Sequence, residues 1–200
     1  MKKPYFVPML AAAFFCALLP ASPAQSDEKK QPTPAEVRAQ LAKDVPAMIA
    51  TYKKVDPGIE RFFKDSAGYV VFPRVGKVGF IIAGGDGAGE LFEKGKLTGT
   101  AKITVGSIGF QAGAQEFSQV IFFKDAAAVE RFKQNKFEFA ANASAVIIKA
   151  GASGAADYRD GVVVFTRATS GAMFEASLGT QKFSFSAEAA PATKDAAKKK

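Results

Sequence analysis

Histidine-based catalysis is closed to this chain, because its 200 residues contain no histidine. No Ser-His-Asp triad, Cys-His pair or histidine-held zinc can be assembled. The one cysteine, Cys16, lies in an apolar stretch near the N-terminus. What remains for acid–base work is a set of carboxylates, Asp65, Asp86, Glu90, Glu93, Glu116, Asp157, Asp160 and Glu175. Two carboxylates suitably held can hydrolyse a glycosidic bond. Their spacing here singles out no pair, and they are read as surface acids on turns. The run Gly84-Gly85-Asp86-Gly87-Ala88-Gly89 has the composition of a phosphate cradle. A cradle of that kind opens a helix whose amides and dipole meet the phosphate, or carries a Lys-Ser/Thr pair. A strand pattern follows instead, so the glycines are read as a turn and as close packing. No enzyme activity, catalytic residue, cofactor or metal is expected.

The basic residues are the more useful constellation. Lys and Arg number 27 against 19 Asp and Glu, a formal charge of +8. Lys53, Lys54, Arg61 and Lys64 follow the first helical pattern, Arg74 and Lys77 flank the first strand turn, and Lys194, Lys198, Lys199 and Lys200 end the chain. A Lys or Arg close to an anionic membrane contributes about 1 kcal/mol. The six internal residues, Lys53, Lys54, Arg61, Lys64, Arg74 and Lys77, are therefore candidates for binding lipid headgroups. The terminal lysines attract an anionic surface but lack the geometry to choose among headgroups.

The elements that must hold these charges come in two regimes. Thr33 and Pro34 form an N-cap and a first-turn proline, followed by Val37, Leu41, Val45, Met48, Ile49 and Tyr52 at helical spacing. The pattern predicts an amphipathic helix that packs on its own sheet, kinked or split at Pro46. After the Asp56-Pro57-Gly58 turn, Ile59, Phe62 and Phe63 make a second short apolar face. From Gly68 the period becomes two. GYVVFPRV, KVGFIIAGG, GELFEKG, KLTGTAKITVGSIGF, EFSQVIFF, FEFAANA, AVIIKAG, GVVVFTR, GAMFEASLG and QKFSFS read as strands. Asp86-Gly87 is a hairpin signal and Lys94-Gly95-Lys96 a second turn. In the strand after that turn, Leu97, Ala101, Ile103 and Val105 share one face. Asp125 caps a helix through Gln134, with Val129 and Phe132 inward.

The N-terminus, with Lys2 and Lys3 before about fifteen apolar residues and a small-residue end, has the layout of a secretory signal peptide. Cleavage after Ala24 fits best, and after Ala21 next best. Spanning a bilayer takes about 20 residues. Phe14 and Phe15 before Cys16 do not suit a lipobox. The expected organisation is a signal peptide at 1–24, a disordered leader at 25–34, one folded domain at 35–186 and a disordered basic tail at 187–200. The exported chain is expected to be periplasmic or secreted, peripheral at a membrane. Nucleic acid is not an expected partner.

Three blocks, VVFPRVGKVGFIIAGGDGAGELFEKGK, SIGFQAGAQEFSQVIFFKD and GVVVFTRATSGAMFEASLGTQKF, resemble the SYLF family in its bacterial exported form. The family is also called the yeast-type actin-binding or lipid-binding SYLF domain. The resemblance implies a non-enzymatic domain associated with phosphoinositide binding and, in fungal members, with actin. Its basic character carries over to Lys53, Lys54, Arg61, Lys64, Arg74 and Lys77 in general terms only.

The expected fold is α+β. A twisted antiparallel sheet, barrel- or sandwich-like, is covered by the N-terminal helices and one short internal helix. Phe72, Phe80, Ile82, Ile103, Phe110, Phe122, Val163, Phe165 and Phe174 are the core candidates. The expected function is recognition of anionic, phosphoinositide-like lipid headgroups. The alternative is a structural or adhesive protein that binds an envelope or host protein, actin-like by family analogy, through an open sheet edge.

Overall fold

The first helix starts where Thr33 and Pro34 place it. Thr33 Oγ1 accepts from the Glu36 amide at 3.3 Å, and the Glu36 carboxylate accepts from the Thr33 amide at 2.7 Å. This capping box satisfies two donors that a helix start otherwise leaves unpaired. The computed structural model describes residues 32–76, 86–105, 116–135, 138–140, 145–170 and 180–187, all within the unit Gln31–Lys200. Helix α1 spans Pro34–Val55 and passes through Pro46 as one element. Of the two expected outcomes at Pro46, a kink or a split, the split does not occur. Pro46 and Ala42 are both exposed, so the Ala42 carbonyl that loses its donor faces water.

A 3-10 turn at Pro57–Ile59 leads into the short helix α2, Glu60–Asp65. The described strands are β1 Gly68–Gly76, β2 Asp86–Glu93, β3 Lys96–Val105, β4 Glu116–Phe123, β5 Glu138–Ala140, β6 Ala145–Ile147, β7 Val162–Ser170 and β8 Thr180–Ala187. Helix α3, Ala126–Lys133, follows β4 with Asp125 as its N-cap, as the sequence predicts. All eight strands form one sheet in the order β5-β8-β3-β2-β1-β4-β7-β6. Neighbours are antiparallel except β6 and β7, which are parallel. The connection between those two contains the 3-10 turn Ala152–Ala155, and it is long enough to return the chain to the same end of the sheet.

The sheet curls strongly. Two strands lie between β1 and β8, yet the Phe72 and Phe183 rings are 5.8 Å apart. Three strands lie between β4 and β8, a separation of roughly 19 Å in a flat sheet. Even so, the amides of Gln119 and Gln181 exchange hydrogen bonds at 2.9 and 3.1 Å. Glycines on the concave face make the curl possible. A Cβ on Gly89 would collide with the Val71 carbonyl and lie 2.6 Å from the Phe72 ring, and one on Gly99 would lie 2.6 Å from Phe185. The glycine-rich run is thus close packing where it is described. The hairpin expected at Asp86-Gly87 is corrected, because both residues pair within the sheet, with Thr104 and Ile103. The second expected turn is found between β2 and β3, where Lys94 and Gly95 have φ of 49° and 76°.

Two apolar cores occupy the two faces. Phe72, Leu91, Ile103, Ile121, Phe123 and Phe183 fill the concave side under α3. Val71, Val120, Phe122, Val163 and Phe165 meet Leu41, Val45 and Tyr52 of α1 and Ile59 and Phe62 on the convex side. The amphipathic face of α1 is therefore spent on its own sheet. Of the expected core, Phe72, Ile103, Phe122, Val163 and Phe165 are buried, while Phe80, Ile82, Phe110 and Phe174 lie outside the described residues. So do the predicted strands KVGFIIAGG and GAMFEASLG. The fold is α+β as expected, built from one curled sheet whose described edges, β5 and β6, are three residues each.

One face assignment is corrected. Ala101, Ile103 and Val105 are buried, but Leu97 is 43% exposed. Leu91 pairs with Gly99 and Phe92 with Leu97, leaving Thr98 as an extra residue on β3. One inserted residue reverses every side chain beyond it.

Candidate functional site

The corner between α1 and α2 gathers three of the six predicted basic residues, Lys53, Lys54 and Lys64. Lys53 and Lys54 sit in the last turn of α1. Lys53 Nζ is 2.7 Å from the Glu60 carboxylate and stands 5.0 Å over the Phe63 ring. Lys64 reaches the same carboxylate at only 3.8 Å and is 70% exposed. Lys54 is exposed. The hydrogen bond from Lys53, together with the two ammonium charges, holds the Glu60 carboxyl below its ordinary value. Two lysines thus share one carboxylate, and Lys54 stands exposed next to Lys53 on α1.

The other predicted residues fall elsewhere. Arg61 donates through Nη2 to the carbonyls of Ser153 and Ala156 at 2.6 and 3.0 Å, with its guanidinium 4.6 Å from the Phe62 ring centroid. It ties α2 to the 3-10 turn before β7. Arg74, on β1, lies 3.9 Å from Asp44 in the middle of α1. Lys77 is outside the described residues. The structure therefore joins Lys53 and Lys64 through Glu60, with Lys54 beside them on α1, and separates Arg74 from them.

The residue that holds the corner was not singled out by sequence reasoning. Asp56 caps the C-terminus of α1 and is 2% exposed. Its carboxylate accepts from the amides of Gly58 at 3.1 Å and Ser153 at 2.6 Å. Burial opposes its ionisation, but bonds from Ser153, Gly58 and Gly151 outweigh that and hold its pKa below the ordinary value. The Asp-Pro-Gly turn signal pointed to the local part of this arrangement. Ser153 lies 97 residues away in sequence and left no signal.

A cleft of about 520 Å³ opens beside this corner, lined by Arg61, Phe62, Asp65, Asp157 and Tyr158 among others. Burial, with the Asp65 charge next, raises the Tyr158 hydroxyl to about 12, so it stays protonated at physiological pH. Glu90 is buried on the sheet, and Asp157 and Asp160 are exposed. Among the described residues no three His, Cys, Asp or Glu side chains gather to hold a metal ion. No described helix is long and apolar enough to cross a membrane.

The described residues form a curled sheet with a helical cover and a basic corner at the α1–α2 junction. Residues 104–192 match the family model described as Ysc84, the Las17-binding protein actin regulator. The match begins in β3 and runs past β8, covering the second and third sequence blocks. The basic corner at Lys53–Lys64 precedes it. A comparison with curated proteins finds no match.

Proposed function

We propose that this chain is an exported, non-enzymatic domain that binds anionic, phosphoinositide-like lipid headgroups peripherally, through the α1–α2 corner. The observation that carries the reading is the shared carboxylate: Lys53 and Lys64 both use Glu60, and Lys54 is exposed beside them. Such an excess of exposed ammonium groups favours an anionic surface. The Phe63 ring under Lys53 adds an apolar floor. Arg61 belongs to the scaffold of this surface rather than to its contacts. Periplasmic or secreted placement follows from the signal-like N-terminus.

Vesicle co-sedimentation tests the proposal. Phosphatidylserine vesicles should retain the protein at low salt and release it at high salt, and neutral phosphatidylcholine vesicles should not retain it. Replacing Lys53, Lys54 and Lys64 together by Gln should weaken anionic binding by up to about a hundredfold, at about 1 kcal/mol for each charge. Equal binding to both vesicle types, or to neither, refutes it. The family description favours a second reading, a protein partner of the actin type. Such a partner could add to the sheet beyond β5, where β8 continues from Phe183 to Ala187, or be held by side chains. Co-sedimentation with actin filaments that survives high salt would support it.

A further inference from the structure

We infer that the β2–β3 hairpin end enters the bilayer interface, with Leu97 as its inserting side chain. The inference rests on the membrane reading above and places a contact that the basic corner alone does not supply. The bulge at Thr98 puts Leu97 opposite Phe92, and Phe92 in turn pairs with Tyr69 and Tyr69 with Phe122. Four strands therefore carry one row of large apolar side chains on the convex face. The row is graded. Phe122 is fully buried, Tyr69 and Phe92 are half-buried and stacked 5.1 Å apart, and Leu97 is exposed. Phe63 packs edge-on against both Tyr69 and Phe122 at 5.0 and 4.8 Å, with Lys53 above it.

The charges at this end complement an anionic bilayer. Lys94 and Lys96 stand at the turn and are exposed. Glu93, the acid at that turn, is engaged by Lys133 of α3 at 2.6 Å. Register places the turn beside the start of β1, four residues after Lys64, because Gly68 pairs with Glu93 and Glu93 with Lys96. An apolar tip flanked by long lysine side chains suits the headgroup boundary, where the ammonium groups stay with phosphate while the leucine reaches the chains.

The chain contains no tryptophan, so Leu97→Trp introduces a single reporter at an exposed position. Phosphatidylserine vesicles should shift its emission to the blue, and shallow brominated lipid should quench it. Thr104→Trp, roughly 23 Å along the same strand, should show neither effect. Leu97→Ser should weaken binding about fivefold, in proportion to the exposed part of a leucine. If the Leu97→Trp protein sediments with vesicles while its emission stays unshifted, the hairpin inference fails and the membrane reading stands. If wild type does not bind anionic vesicles, both fall.

Discussion

Replacing Asp56 by Asn should loosen the corner that presents the lysines, by an amount that depends on pH. Asp56 Oδ2 accepts from the Ser153 amide at 2.6 Å and Oδ1 from Gly58 at 3.1 Å, in a nearly fully buried position. Asn keeps one acceptor and turns a donor toward the other amide, so a charge-assisted bond is lost and a buried N–H is left without a partner. Hydrogen bonds to charged groups are worth about 1.5–3 kcal/mol, and an unsatisfied buried donor costs about 1–3 kcal/mol. We expect a loss of about 3 kcal/mol at pH 7, a large fraction of the 5–15 kcal/mol typical of a domain. The Asp56 carboxyl has a folded pKa below its unfolded one, near 3.9. Its stabilisation is therefore fully present above about pH 4 and is lost as pH falls through the folded value. Urea denaturation of both proteins between pH 7 and pH 2.5 measures the difference. It should be largest at pH 7 and shrink below pH 4. A difference under about 1 kcal/mol at neutral pH, or one that does not change with pH, refutes the reasoning.

The curl of the sheet supports two more predictions. Gln119→Leu or Gln181→Leu alone should cost about 1–3 kcal/mol, because each strands a buried amide, whereas the double variant should cost less than the sum. Additive losses in a double-mutant cycle by urea denaturation would show that the two amides are not coupled. Gly89→Ala should cost about 1–3 kcal/mol through the Val71 carbonyl and the Phe72 ring, while Gly154→Ala, with nothing near its added methyl, should stay within about 0.5 kcal/mol. Thermal or urea melts compare the two, and equal effects would remove the close-approach argument.

The local grammar of the chain was legible because it is written in adjacent residues. Thr33, Pro34 and Glu36 start α1, Asp125 starts α3, the Lys94-Gly95 turn reverses the chain, and runs such as EFSQVIFF announce buried strands. The period of two also sorted Ala101, Ile103 and Val105 onto one face. It failed at Leu97, because a bulge depends on how β3 registers against β2, and one sequence carries no record of its partner's register. Asp86-Gly87 misled for the same reason, since a dipeptide that favours a turn is overridden when both residues find partners in a sheet.

The charges divide along the same line. The sequence by itself determined that histidine chemistry is absent, that the chain is basic, and which lysines follow the first helix. Only the tertiary structure decided which of those charges face solvent with little compensation. Arg61 is consumed by two carbonyls more than ninety residues away, Arg74 is drawn to Asp44, and Lys53 and Lys64 are left to share Glu60. A cation's availability depends on every acceptor that folding brings within a few ångströms, and long-range closure of the chain sets that, not its neighbours in sequence.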